Sequence, residues 1–239
     1  MFGYPLSTGA AVTFALIAFA LLAEAARRAR WSAPAGEHLI WALATAAVLI
    51  GHRMNVRLES GLELHYLGAA FLALLLGYPR ALVSMAVVLA VDGVLGWGAA
   101  LGTTVGAATV PDGAAGAPFG GLSTWGLRML LAGVLPVWVR WLIVEAARRW
   151  LPRNPFVFLL GCGLLGLFVA YGVELVATAL VYRALAPELP RDFVEDFVPY
   201  ALLLAAGEAW LEGMLTTLLV VYVPGSVRLF DEAFYLRRA

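Results

Sequence analysis

Residues 60–79 read SGLELHYLGAAFLALLLGYP. They predict an apolar helix with one histidine, His65, at its mouth. Beside it Gly68, Ala69 and Ala70 are small enough to let other helices come close. Side chains able to do chemistry are otherwise scarce in this chain. An imidazole at a membrane edge is therefore the natural place to catch a soft or borderline cation.

The composition around that stretch sets the class. Of 239 residues, 62% are hydrophobic and 13% charged, and the mean hydropathy is +0.87. A soluble domain would need more charge than this to cover its surface, so the solvent is lipid. The 16 basic residues are all arginine and are matched by 16 acids. A net charge of zero argues against a nucleic-acid partner. Cys162 stands alone, which excludes a disulfide framework and a thiolate zinc site. Residues 1–9 lack the positive charge of a secretory signal, and Arg27, Arg28 and Arg30 follow the first apolar run, so that run reads as a retained helix.

Crossing a hydrocarbon core takes about 20 helical residues. Seven stretches approach this, near 8–26, 37–51, 64–78, 81–104, 125–147, 156–184 and 198–223. The second and third are short enough for tilt or partial insertion. The expectation is an all-α, polytopic membrane protein forming one domain over 1–239. Arginine fixes its orientation: Arg27, Arg28, Arg30, Arg80, Arg148, Arg149, Arg153, Arg228, Arg237 and Arg238 collect on one side. The positive-inside rule makes that side cytoplasmic, with the N-terminus outside and the C-terminus inside. Residues 102–124 and 185–197 read as external loops, the first rich in Gly and Ala, the second acidic. No internal repeat of the kind that marks inverted-repeat transporters is visible.

An ionisable group within a span costs about 2.5–3.5 kcal/mol on insertion, so each asks for a reason. Asp92 lies midway along the fourth stretch and Glu174 in the outer half of the sixth. Glu208 and Glu212 share one face of the seventh, and Arg128 enters the fifth near its outer end. Either Arg128 neutralises one carboxylate while the rest are protonated or paired, or the group lines a polar path with Glu208 and Glu212 as proton or cation stations.

Three patches resemble the CbiM/NikM family of energy-coupling-factor cobalt and nickel permeases, and a proteobacterial branch of it in particular. The first is Ser60-Gly61, His65 and the Leu67-Gly68-Ala69 run ending in Gly77-Tyr78-Pro79. The second is PYALLLAAGEAWLEGMLTTLLVVYVP (199–224) followed by FDEAFYL (230–236), where Glu208 and Gly213-Met214 fit the family pattern and Glu212 departs from it. The third is GLRMLLAGVLP (126–136), with Arg128 where the family has asparagine. The resemblance implies a substrate-binding permease subunit of a bacterial inner membrane that takes up a divalent transition metal, cobalt or nickel. It would be energised by a transmembrane coupling protein and ATPase subunits, with no organic cofactor. It also implies His65 as a metal ligand, together with an amino-terminal clamp at Met1. The clamp's usual second-position histidine is replaced by Phe2, and His52 and Met54 are candidate substitutes, with Glu59 or Glu63 as carboxylate donors.

Other classes fit less well. The chain has no G-x-x-x-x-G-K-[ST] run, so it cannot supply ATP hydrolysis. Ser60 and His65 lack a nucleophile elbow, and no His-x-x-x-His or Glu-x-x-His pattern offers a di-iron site, so an enzyme is not expected. The alternative is a degenerate, non-transporting scaffold or sensor subunit of another complex.

Overall fold

A computed structural model of the chain describes residues 6–53, 55–57, 63–103, 120–185 and 193–236. The side chains of residues 55–57, 63–65, 94–103, 120–123, 182, 185 and 193–197 are outside that description. The helices are α1 (Thr8–Arg28), α2 (Ala35–Arg53), α3 (Ala69–Leu76), α4 (Tyr78–Thr103), α5 (Gly120–Arg128), α6 (Leu135–Trp150), α7 (Gly166–Leu185), α8 (Phe193–Tyr222) and the short α9 (Glu232–Tyr235). Between α2 and α3 a small hairpin pairs β1 (Asn55–Arg57) with β2 (Glu63–His65), antiparallel, with Asn55 opposite His65.

Four described helical runs are long and apolar enough to cross a membrane: Thr8–Arg28, Thr124–Trp150, Val157–Val181 and Val198–Tyr222. Their outer faces carry large exposed apolar side chains, such as Leu16 and Phe19 on α1, Trp138 and Leu142 on α6, and Leu203 and Leu211 on α8. In water such a surface would drive aggregation; here it is the surface that lipid wets. The protein is a multi-pass membrane protein. Two of these runs pass through π-helical turns, Met129–Val134 just ahead of Pro136 and Val157–Leu165. A π turn absorbs the missing N–H and the ring clash of a proline without ending the helix, which accounts for the first of them.

One corner gathers the arginines. Arg80 donates to the Arg30 carbonyl (2.7 Å) and pairs with Glu37 (3.2 Å), and its guanidinium lies over Trp41. Arg148 donates to the Leu229 carbonyl at 2.8 Å, and Arg153 covers Phe234. Arg228 packs against Gly77, the residue between α3 and α4. The exposed aromatics Trp31, Trp150, Phe156 and Tyr222 stand at the helix ends on this side, as interfacial aromatics do. The hairpin lies at the opposite end, where α2 finishes and α1 begins.

The stretch 64–78, expected as a crossing segment, is instead a strand, a turn and the eight-residue α3. At 1.5 Å per residue α3 is about 12 Å long, far short of a roughly 30 Å hydrocarbon core. All eight of its side chains are buried by protein. Apolar runs read alike whether lipid or neighbouring helices surround them, so sequence pattern could not separate the two. Glycines delimit the helix at both ends: Gly68 has φ +67° and Gly77 φ +76°, conformations that side chains with a Cβ resist.

Close packing of α1 also depends on a glycine. A Cβ on Gly126 would sit 2.5 Å from the Ala15 nitrogen, so α5 meets α1 backbone to backbone. At Gly68 a Cβ would sit 2.6 Å from Val48 Cγ1. Gly68→Ala is expected to lower stability by at least about 1–2 kcal/mol from its left-handed backbone alone. Thermal unfolding in detergent will read this, and Val48→Ala should recover only the share of the loss owed to Val48, leaving the backbone part and the clash with the Tyr66 ring.

Candidate functional site

The turn that joins the hairpin to α3 is held from several sides. His52, buried at the end of α2, places Nδ1 2.9 Å from the Tyr66 carbonyl, and its Nε2 faces Asp92 Oδ2 at 3.9 Å. The Tyr66 ring is packed between Gly51 and Gly68, where any added Cβ would strike it. Its hydroxyl donates to Glu212 Oε1, and the Tyr171 hydroxyl donates to Glu212 Oε2. Two phenols thus close on one carboxylate, an arrangement of charge-assisted bonds suited to an ionised acceptor.

One turn away on α8, Glu208 Oε2 accepts from the Leu67 N–H at 2.9 Å, with the Gly68 N–H alongside. These amides lie just ahead of α3, Gly68 at its N-cap and Leu67 one residue before it. A helix begins with N–H groups that have no partner inside it, and a carboxylate there meets both the free donors and the positive end of the dipole. At the other end of α3, the Arg228 N–H donates to the Leu75 carbonyl (2.9 Å) and the Leu229 N–H to the Leu74 carbonyl (3.2 Å). The fully buried α3 is therefore capped at both ends by parts of the chain that lie far from it in sequence.

The remaining charges fall into two groups. Asp92 on α4 bonds Arg128 of α5 (2.8 Å) and Arg53 of α2 (3.1 Å), tying three helices together at the hairpin end. Glu174 on α7 is only 2% exposed, and its Oε2 has no hydrogen-bond partner among the described residues. Arg140 on α6 is fully buried, and none of its guanidinium nitrogens has a partner among the described residues.

Of the residues singled out from sequence, the structure brings His52, Asp92 and Arg128 together at the hairpin end, and Glu174, Glu208 and Glu212 together between α7, α8 and the start of α3. His65 sits in β2 immediately before Tyr66, but its imidazole is outside the described side chains, as is the Glu63 carboxylate. Met1, Phe2, Met54, Glu59 and Ser60 lie outside the described residues. His38 is at the arginine-rich end, 3.0 Å from the Trp31 carbonyl, far along α2 from His52. No group of three or more His, Cys, Asp or Glu suited to a metal occurs among the described residues. Tyr66 and Tyr171 were missed. A tyrosine midway along an apolar stretch, three residues before a glutamate on the same helix face, is the signal that could have found Tyr171.

Tyr66→Phe and Tyr171→Phe should each cost about 1.5–3 kcal/mol, the usual worth of a bond to a charged group. Combining either with Glu212→Gln should cost less than the sum, because one network is being dismantled twice. Chemical or thermal unfolding of the three single variants and the two double variants checks both statements.

A family model described as CbiM, cobalt uptake substrate-specific transmembrane region, matches residues 4–111 and 113–226. No curated protein matches the chain. Among solved structures, a crystal structure described as a transition metal transporter shares the fold at a TM-score of 0.67 and 19% identity, covering 98% of this chain and 97% of that one.

Proposed function

Because the chain belongs to the CbiM cobalt-uptake family, we propose that it is the membrane-embedded, substrate-binding subunit of an uptake system for a divalent transition metal. Cobalt and nickel are the favoured cargoes. Lacking a phosphate-binding loop of its own, the chain would draw energy from partner ATPases through a membrane coupling protein. The arginine-rich end would face the cytoplasm and the hairpin the outside, in a bacterial inner membrane.

The observation that supports this reading is the anchoring of the hairpin. His65 is separated by one peptide bond from Tyr66, which is fixed by its carbonyl to His52 and by its hydroxyl to Glu212. A ligand needs such support if its ring is to meet a metal in a set geometry. The helix α1 starts at the same end of the bundle as the hairpin. Neutral imidazole and an amine are nitrogen donors that suit Co²⁺ and Ni²⁺. His52 would then act behind the ligand, holding the turn, instead of joining the metal itself.

Purified protein with a free N-terminus, incubated with Co²⁺, Ni²⁺, Cu²⁺ or Zn²⁺ and then washed, should retain one of them in near-stoichiometric amount. His65→Ala should abolish retention. His52→Ala should weaken it by roughly 10- to 100-fold, the usual effect of losing a supporting group. A well-folded wild type that keeps no metal would turn the reading toward a scaffold or sensor subunit.

A further inference from the structure

The α7–α8 seam contains a second polar feature, deeper in the bundle than the hairpin. The two helices are antiparallel neighbours joined through residues 186–192. Tyr171 of α7 bonds Glu212 of α8, and this fixes their register. Moving one turn toward the hairpin end, three residues on along α7 and four back along α8, brings Glu174 opposite Glu208. Glu208 already spends Oε2 on the amides of α3. Its Oε1 and Glu174 Oε2 are both buried, and neither has a partner among the described residues.

The protein offers no counter-charge to this pair among its described side chains. Arg128 and Arg53 are committed to Asp92. Arg140 comes within electrostatic reach of Glu212 and Tyr171 but bonds neither, its guanidinium lying against Gly166 instead. The groups acting on Glu174 are Glu208 and Glu212, both acidic. Around Glu208 stand Glu212, Tyr66 and Tyr171, with the α3 amides as the compensating donors. Two neighbouring carboxylates in a low-dielectric interior cannot both remain ionised and bare.

We propose that Glu174 and Glu208 form an intramembrane site for one small, hard monovalent cation, a proton or a sodium ion, bound by Glu174 Oε2 and Glu208 Oε1. A single such cation satisfies both oxygens at once and removes one of the two charges. Thr178, one turn further along the same face of α7 and buried, is the next oxygen-bearing side chain on that face. Too few strong donors converge here for a transition metal. Because Glu208 also holds the start of α3, occupancy of the site bears directly on the helix that carries the turn below the hairpin. The site does not depend on the metal-uptake reading, and its test uses no transition metal.

Wild type, Glu174→Gln and Glu208→Gln are compared in lipid nanodiscs by two measurements. Infrared spectra in light and heavy water report a protonated buried carboxyl. Unfolding temperatures in sodium chloride against choline chloride report a bound sodium ion through its mass-action stabilisation. A proton gives a carboxyl band that shifts in heavy water and is lost in Glu174→Gln. Sodium gives a rise in unfolding temperature in wild type that vanishes in Glu174→Gln. A wild type with neither signal, or a signal that survives undiminished in Glu174→Gln, overturns the proposal. Glu174→Gln decides the matter even if Glu208→Gln fails to fold, because it leaves the bond between Glu208 and the Leu67 amide intact.

Discussion

An eight-residue helix with every side chain buried presents more loose backbone groups than it can satisfy internally. Four N–H groups at one end of α3 and four carbonyls at the other lack intrahelical partners, and neither water nor lipid is at hand to take them. Local turns meet some of them, the Ala69 N–H through the Leu67 carbonyl and the Ala73 carbonyl through the Gly77 N–H, and distant parts of the bundle meet others. Glu208 reaches in from the middle of α8, and the backbone at Arg228 and Leu229 reaches in from beyond its end. Both ends of α3 thus depend on the last third of the chain. That requirement places α8, which in turn positions Glu212 for the two tyrosines and sets the register of α7 against it.

The charged residues divide the bundle by depth. At the hairpin end Asp92 pairs with two arginines and joins α2, α4 and α5. At the arginine-rich end Arg80 and Arg148 bond main-chain carbonyls of Arg30 and Leu229. Between them lies an acidic interior whose bonds are made mainly by phenols and amides, which neutralise no formal charge. Fixed helices at both ends and an undercompensated centre give a membrane protein a rigid frame around a polar interior, the usual setting for intramembrane function.

How much of this was legible follows from which contacts are local. The long spans could be read because lipid demands an uninterrupted apolar run, and 125–147, 156–184 and 198–223 fall within helices that also satisfy that demand in three dimensions. The stretch 64–78 misled because Leu72 and Leu74 are equally apolar whether they face acyl chains or α6. Its two boundary glycines were visible, but a glycine announces a positive φ only once the chain direction around it is known. The carboxylates of the interior could be listed from sequence. Their roles could not, since the partner of Glu208 lies 141 residues away and that of Asp92 lies 36 away. Sequence reasoning looked for charge and so passed over Tyr66 and Tyr171, whose hydroxyls complete the Glu212 network.

The bonds from Arg228 and Leu229 to α3 also impose an order on synthesis. The ribosome makes α3 about 150 residues before it makes the amides that close the carbonyls of Leu74 and Leu75. Throughout that interval the nascent helix must wait with its end uncovered, in membrane or beside it. The segment that ends the wait bonds α3 through its main chain, and proline at either position is the substitution that would leave a carbonyl bare.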